Sequence, residues 1–317
     1  MASKKTLMQI LKESDRCFIV PCVYDCASNR AVEMCGFPVS LLSGGEVSIA
    51  MNGVIDYGFT GLNDLEWVVS RVSQTSSIPL IADIEDGFGG PLAVYRSARR
   101  LSRAGAAALQ LEDAGDMENS TGILPRKDYL AKVKAALEAL KDTGCLLIAR
   151  SNADPKDPSS MKEGAERLRD AMDLGAHLAM MVKVSTLNEA REMAKIIPGW
   201  KIFADVRAEG GVQAVTMEEL TSLGFKMCST HYTLKAAMES MLEHGRHIYR
   251  EQSIAYTFTH APATGIMGFS ATPLFDPQSY MRLEESFTGS GKEYTIVGGA
   301  VEDFPEGFVR PPIEDRL

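Results

Sequence analysis

The sequence contains little that would direct it to a membrane or to nucleic acid. None of its apolar runs approaches the ~20 residues that a membrane-spanning helix needs, so no association with a membrane is expected. Its 33 Lys and Arg residues are outnumbered by 42 Asp and Glu residues, which gives a net charge of −9. An acidic surface repels phosphate groups, and nucleic acid is therefore not an expected partner.

The six cysteines include no Cys-x-x-Cys pair, the spacing that zinc ribbons and thiol redox motifs require. The cysteines near the N-terminus lie in apolar segments and are expected to be small core residues. The N-terminal segment starts with basic residues, but Gln9 and Lys12 interrupt its apolar stretch, unlike the core of a signal peptide. These features predict a cytoplasmic protein with reduced thiols.

Short β-rich segments alternate with helical patterns up to about residue 250. The segments are mostly continuous apolar runs, which are typical of strands buried on both faces of a parallel sheet. The expected strands are CFIVPC (17–22), PVSLLS (38–43), PLIADIE (79–85), AALQLED (107–113), CLLIARS (145–151), HLAMMVK (177–183), KIFADV (201–206) and FKMCST (225–230). This alternation predicts an α/β fold, a (β/α)8 TIM barrel over residues 1–250. The alternative, a doubly wound open sheet, lacks support because no GxGxxG follows the first strand.

The C-terminal part of the chain follows a different pattern. The stretch 286–299 is rich in Ser, Gly and Thr, and prolines follow it, so residues 251–317 are predicted to form a helical or extended arm. The segment GSGKEY (289–294) lacks the first glycine and the Ser or Thr of a phosphate-binding loop. His244 and His247, on a late charged helix, are expected to face solvent rather than to bind a metal.

Polar residues follow almost every predicted strand, where barrel enzymes carry their catalytic groups. They are Ser43-Gly44-Gly45-Glu46, Asp83, Glu85, Asp86, Glu112, Asp113, Arg150, Ser151, Asn152, Lys183, Asp205, Arg207, Thr230 and His231. Carboxylates that meet at one barrel mouth repel each other unless a cation joins them, and oxygen donors without His or Cys suit Mg2+. Such an ion stabilises an enolate. Arg150 and the Ser43–Gly45 turn would bind an acid group, so a small, multiply anionic substrate is expected.

Several of these residues also have a structural interpretation. Acidic residues at strand ends can cap the next helix, as Asp86 or Asp113 would. Arg150 could form a structural ion pair. Lys183 and His231 could equally be hydrogen-bonded residues of the framework.

Six blocks in order resemble the isocitrate lyase/phosphoenolpyruvate mutase superfamily over about residues 15–250. PCVYDCAS (21–28) resembles PGVYDALSA, and SGG (43–45) matches the carboxylate-binding turn of the lyase branch. The other blocks are IADIEDGFGG (81–90), similar to ADADTGYG; LQLED (109–113), similar to IHIED; ARSNA (149–153), similar to ARTDA; and GFKMCSTHYTLKAAM (224–238). The resemblance implies a barrel whose eighth helix is swapped between subunits of a homodimer or homotetramer.

The resemblance also implies site residues and Mg2+ as the cofactor. Asp83 would bind the ion directly, and three further acids would act mainly through metal-bound water: Asp56, Glu85 and Glu112. Arg150 would hold the charged end of a small anionic carboxylate substrate. The residues expected to surround that substrate are Tyr24, Ser43, Gly44 and Gly45.

The chain departs from the superfamily in the loop AGDMENSTGILPRKD (114–128). The lyase branch carries a catalytic Cys there, and this loop has neither Cys nor His. Asn119-Ser120 resembles the mutase branch, but its lysine is replaced by Asp116 or Glu118. His231 falls near a histidine of the oxaloacetate decarboxylase branch.

The sequence therefore predicts a Mg2+-dependent lyase or mutase that acts on the C–C or P–C bond at C3 of a small 2-oxo acid, through a pyruvate enolate. Oxaloacetate-like and phosphonopyruvate-like substrates are the leading candidates. Arg150 is the expected catalytic cation, with Asn119, on a gating loop, and His231 as proton or leaving-group contacts. The alternatives are a retro-aldol lyase of a methylisocitrate-like 2-hydroxy acid and a catalytically silent relative that binds a metabolite.

Overall fold

The computed structural model describes residues 5–115, 122–206, 208–209, 212–260 and 277–289. Parallel strands form a closed barrel, and their bounds are β1 (Phe18–Val23), β2 (Ser40–Leu42), β3 (Leu80–Asp83), β4 (Ala108–Glu112), β5 (Leu146–Ser151), β6 (Leu178–Met181), β7 (Lys201–Phe203) and β10 (Phe225–Thr230). Around the barrel they follow the order β1-β10-β7-β6-β5-β4-β3-β2. Each of the predicted strands is present, and the predicted (β/α)8 barrel is confirmed.

Helices precede, separate and follow these strands along the chain, and one short hairpin follows β7. The helices are α1 (Leu7–Glu13), α2 (Cys26–Met34), α3 (Gly44–Val47), α4 (Leu62–Thr75), α5 (Pro91–Arg103), α6 (Arg126–Leu140), α7 (Pro158–Leu174), α8 (Leu187–Ile196), α9 (Met217–Ser222), α10 (Thr233–Glu251), α11 (Ala255–His260) and α12 (Pro277–Thr288). A π-helical turn, Ser48–Asn52, continues α3. The hairpin pairs β8 (Ala208–Glu209) with β9 (Val212–Gln213) in antiparallel fashion.

The apolar core has two layers, one inside the barrel and one between the strands and the helices. Successive strand residues point to opposite faces, and both faces are buried, which explains the continuous apolar runs. Leu7 and Leu11 of α1 pack against the cluster inside the barrel. Of the N-terminal cysteines, Cys17 and Cys22 are buried as expected, whereas Cys35 is exposed at the end of α2, so that part of the expectation is wrong.

The C-terminal arm is described only in part. Helix α11 and helix α12 belong to it, and residues 290–294 of the GSGKEY segment lie outside the described ranges. The division of the chain at residue 250 therefore stays a prediction. Within the residues that the structure describes, no helix has the length and hydrophobicity needed to cross a membrane.

Candidate active site

A cavity of about 630 Å³ opens at the carboxyl ends of the strands. Side chains on α10, including Leu234 and Met238, form part of its wall. The volume lies in the range of ~300–1,000 Å³ that is usual for small-molecule sites. Several of the predicted site residues line it, namely Ser43, Gly45, Asp56, Asp83, Arg150 and His231.

Arg150 forms ion pairs with two of the predicted metal-binding acids. Its Nη1 lies 2.9 Å from Asp83 Oδ2, and its Nη2 lies 2.7 Å from Glu112 Oε2. The strand register brings them together, since β4 lies between β3 and β5 and Glu112 is the register partner of Arg150. All three side chains are at least four-fifths buried. In this structure Arg150 therefore binds acids that were predicted to hold a metal, while it also lines the cavity where a substrate would bind.

Glu85 lies beside this cluster and is held there by its backbone. Its N–H donates to Asp83 Oδ1 at 2.9 Å, and its φ of 50° is uncommon outside glycine. The negative charge of Asp83, then burial, then the charges of Glu112 and Asp56 raise the pKa of Glu85 to about 9. Glu85 is consequently protonated at neutral pH unless a positive charge is added to the cluster.

The Ser43-Gly44-Gly45 turn forms the beginning of α3, and Ser43 Oγ accepts the Glu46 N–H at 3.3 Å. A Cβ on Gly44 would lie only 1.9 Å from Glu85 Oε1, so any other residue at this position would force the Glu85 carboxyl group to move. A Cβ on Gly45 would lie 3.0 Å from Asp56 Oδ2. The turn thus packs directly against the acids.

The donor chemistry of the four acids fits a divalent cation. Their donors are all carboxylate oxygens, the ligands that Mg2+ prefers. One guanidinium faces four carboxylates, and the raised pKa of Glu85 shows that negative charge is in excess. No three Asp, Glu, His or Cys side chains of the described residues already form a group that could hold a metal. In this structure Arg150 already pairs with Asp83 and Glu112, so an ion would have to replace at least one of these contacts. The four acids of this cluster are Asp56, Asp83, Glu85 and Glu112.

His231 lies on the same cavity and is paired with Asp205, a contact that sequence reasoning missed. His231 Nδ1 lies 2.6 Å from Asp205 Oδ2, and the His231 N–H donates to Asp205 Oδ1 at 3.1 Å. Both residues follow strands that pair in the barrel, β7 and β10. That adjacency was available from the predicted strand order, because the last two strands of a barrel are neighbours.

Glu46 is a second residue of this site to which the sequence assigned no role. It is 7% exposed and lines the cavity, and Thr233 Oγ1 lies 3.4 Å from its Oε2. Burial raises the pKa of Glu46, and the positive charge of His231 opposes this effect. Glu46 and His231 are therefore close enough to interact electrostatically.

Some of the strand-end residues have structural roles instead. Asp86 Oδ2 lies 2.8 Å from Lys132 Nζ. Asp113 is fully buried and binds Arg167 at 2.9 Å and Ser151 at 2.6 Å. Both acids thus stabilise contacts with the outer helices, by ion pairs rather than by the helix capping that was considered.

Other predicted residues lie away from the cavity or outside the described ranges. Tyr24 is half-buried and packs against the outer core, and Lys183 is exposed. Asn119 lies outside the described residues, so its predicted role stays a prediction. His244 and His247 contact Thr257 and Glu251, respectively.

Comparison with known proteins gives relatives of several activities. The chain is 29% identical over 256 residues to the petal death protein of Dianthus caryophyllus, covering 78% of this chain and 79% of that protein. It is 31% identical over 189 residues to an oxaloacetate decarboxylase of Pseudomonas putida (strain GB-1), covering 58% and 64% of the two chains. It is 29% identical over 229 residues to the 2-methylisocitrate lyase of Aeropyrum pernix, covering 70% and 71%.

A solved structure of phosphonopyruvate hydrolase in complex with oxalate and Mg2+ has the same fold. Its TM-score is 0.77 at 21% identity, covering 92% of this chain and all of that chain. The model of the phosphoenolpyruvate phosphomutase family matches residues 7–249. The chain therefore belongs to this family, and it is a lyase- or mutase-type enzyme of the isocitrate lyase/phosphoenolpyruvate mutase superfamily.

Proposed function

We propose that the protein is a Mg2+-dependent enzyme that breaks the bond between C3 and the acid group of a small 2-oxo acid, through the enolate of pyruvate. Oxaloacetate is the first candidate substrate and phosphonopyruvate the second. The observation that carries the proposal is the excess of carboxylates around Arg150 at the mouth of the cavity. The sequence similarity to an oxaloacetate decarboxylase favours the first candidate.

The acids would hold the ion, and the ion would supply positive charge to the ketone and carboxylate oxygens of the substrate. Asp83 faces the cavity and is the first expected ligand. Glu85 would lose its proton as the cation binds, because the added positive charge offsets the repulsion from Asp83. The further expected ligands, acting through water, are Asp56, Glu85 and Glu112.

Arg150 would bind the carboxylate of the substrate. Its guanidinium lines the cavity and is oriented by Asp83 and Glu112. When Asp83 and Glu112 bind a cation instead of Arg150, the guanidinium N–H groups become free to donate to a substrate carboxylate. Ser43 and Gly45, at the beginning of α3, also line the cavity and would contact the same small anion.

Turnover assays test this proposal. Release of pyruvate is measured from oxaloacetate, phosphonopyruvate and 2-methylisocitrate with Mg2+, after subtraction of the enzyme-free rate. We expect turnover of oxaloacetate or phosphonopyruvate, loss of it in Asp83→Ala, and no change in Asp173→Asn, an exposed position on α7. Turnover of 2-methylisocitrate alone would support the retro-aldol lyase instead, and no turnover of any of the three would support a silent metabolite-binding relative.

We also propose that the protein forms a homodimer or a homotetramer. Apolar side chains of α10 are exposed, with Met241 at 63% and Leu242 at 52%, and an exposed apolar surface of this kind is typical of an interface. Light scattering after size exclusion should give a dimer or a tetramer, and Met241→Asp should dissociate it. A monomeric wild type would refute the proposal.

A further inference from the structure

The register of the barrel strands arranges their inward-facing side chains in layers. Each layer of a (β/α)8 barrel takes its side chains from alternate strands, and branched apolar residues dominate. Two lower layers of this barrel follow that rule, because every side chain in them belongs to the apolar cluster inside the barrel. The first consists of Val39, Ala108, Leu178 and Met227, and the second of Val20, Ile81, Ile148 and Ile202.

The next layer forms the floor of the cavity and departs from this rule. Gln110 is 2% exposed and Ser229 is 1% exposed, and both line the cavity. Gln110 Oε1 and Ser229 Oγ nevertheless have no hydrogen-bond partner among the described residues. A buried polar atom is costly to leave unpaired, so these two oxygens indicate a site for a polar group of a ligand. The members of this floor layer are Leu41, Gln110, Met180 and Ser229.

Met180 fixes the orientation of the Gln110 amide. Gln110 Nε2 donates to Met180 Sδ at 2.9 Å. A thioether sulfur accepts hydrogen bonds and cannot donate one, so the reverse orientation of the amide would place two acceptors against each other. Oε1 is therefore the atom that stays unpaired, and the group that binds to it must be a hydrogen-bond donor.

The layer above the floor has a charged half and an uncharged half. Strand β4 lies between β3 and β5, whose residues in this higher layer are Asp83 and Arg150. Strand β10 lies between β1 and β7, whose residues in this layer are the small side chains of Cys22 and Ala204. Burial raises the pKa of the Cys22 thiol, which therefore stays neutral. A ligand whose acid group binds to Arg150 thus meets small, uncharged side chains above Ser229.

We propose that Gln110 and Ser229 form a subsite for an uncharged, hydroxyl-bearing group at C3 of the substrate. This inference rests on the proposed function and narrows its substrate class to 2-oxo acids that carry a hydroxyl group on C3 beside the departing acid group. A hydroxyl group can donate to Gln110 Oε1 and accept from Ser229 Oγ. An alkyl group would leave both oxygens unpaired, and a carboxylate would face the Gln110 oxygen without a proton to donate.

The first test compares ligands that differ in one group and needs no turnover. Calorimetry with Mg2+ measures the binding of pyruvate, 2-oxobutyrate and 3-hydroxypyruvate, in which C3 carries only hydrogen, a methyl group and a hydroxyl group, respectively. We expect the wild type to bind 3-hydroxypyruvate about tenfold more tightly than 2-oxobutyrate. This ratio should fall about threefold or more in Gln110→Leu and in Ser229→Ala, and should not change in Ser222→Ala, an exposed position at the end of α9.

The ratio distinguishes a subsite from a structural role. If Gln110 and Ser229 only supported the barrel, their substitution would weaken the binding of all three ligands alike and leave the ratio unchanged. If one variant does not fold, the other still measures the ratio, because the two residues lie on different strands, β4 and β10.

The second test measures turnover of two acids that differ at C3. 3-Hydroxyoxaloacetate, supplied as its tautomer dihydroxyfumarate, is compared with 3-methyloxaloacetate after subtraction of the enzyme-free rates. We expect kcat/KM to be about tenfold higher for the hydroxylated acid, and this preference to fall in Gln110→Leu and in Ser229→Ala. Equal values of kcat/KM for the two acids in the wild type would overturn the inference.

The outcomes separate this inference from the proposed function. If the wild type turns over oxaloacetate but binds 3-hydroxypyruvate no more tightly than 2-oxobutyrate, the inference is wrong and the proposed function stands. If the preference for 3-hydroxypyruvate persists in both variants, the hydroxyl group binds elsewhere and the inference is again wrong. If the wild type neither turns over a 2-oxo acid nor binds any of the three ligands with Mg2+, the proposed function fails and the inference fails with it.

Discussion

Replacement of Glu85 by glutamine tests the excess of negative charge at the barrel mouth. The pKa of Glu85 is raised from 4.5 to about 9, first by Asp83 and then by burial. The folded, metal-free protein thus holds a proton that the unfolded chain has released at neutral pH. Between these two values each pH unit lowers the free energy of unfolding by up to about 1.4 kcal/mol. Below 4.5 the carboxyl is protonated in both states, so this cost is absent there.

Glu85→Gln keeps the shape of the protonated acid and removes its titration. From pH 6 to pH 8 in EDTA, the wild type should lose about 3 kcal/mol more stability than Glu85→Gln. Urea unfolding at pH 6, 7 and 8 measures the difference, with Glu138→Gln on the exposed face of α6 as the matched control. The reasoning is refuted if the difference between the wild type and Glu85→Gln does not change over this range.

Two further substitutions test the packing around the site. Gly44→Ala should abolish turnover and weaken Mg2+ binding at least tenfold, because its Cβ would lie 1.9 Å from Glu85 Oε1; Gly90→Ala, with no atom within 4 Å, should retain both. Titration calorimetry with Mg2+ and steady-state assays measure these changes, and an active Gly44→Ala would show that the approach is not needed. Asp113→Ala should cost about 3–5 kcal/mol in urea unfolding because the buried Arg167 loses its fully buried partner and keeps only the partly exposed Glu163, and a loss below 1 kcal/mol would contradict that role.

The barrel and the position of the acids could be predicted from the sequence for physical reasons. Strands that are buried on both faces need continuous apolar residues, and the carboxyl ends of parallel strands meet at one mouth. Asp83, Glu112 and Arg150 therefore had to lie near one another once the strands were identified. Their contacts follow from the register of β3, β4 and β5.

The direction of each strand-end side chain could also have been derived, although the sequence reasoning left it open. Ala108 packs inside the barrel, and every second residue of a strand points to the same face. Glu112 therefore points inward, and Asp113 points outward to Arg167. The same alternation separates acids that can reach a ligand from acids that stabilise the outer helices.

Other features could not be derived from the sequence. Whether Arg150 binds acids or a substrate is not encoded in its position, since the same charge serves both. The π-helical turn after α3 has no periodic apolar pattern, and the approach of Gly44, at the start of α3, to Glu85, after β3, depends on how these two segments pack together. These contacts depend on three-dimensional packing between elements that are distant in the chain.

The central claim is that the acids at the barrel mouth bind one divalent ion that stabilises an enolate. A crystal structure with Mn2+, whose anomalous signal locates the ion, and with oxalate as a mimic of the enolate tests it most directly. The account predicts an ion about 2.2 Å from a carboxylate oxygen of Asp83, bridged by water to Glu85 or Glu112, with oxalate on the ion and on Arg150. An empty site in which Arg150 still binds both Asp83 and Glu112 would contradict it.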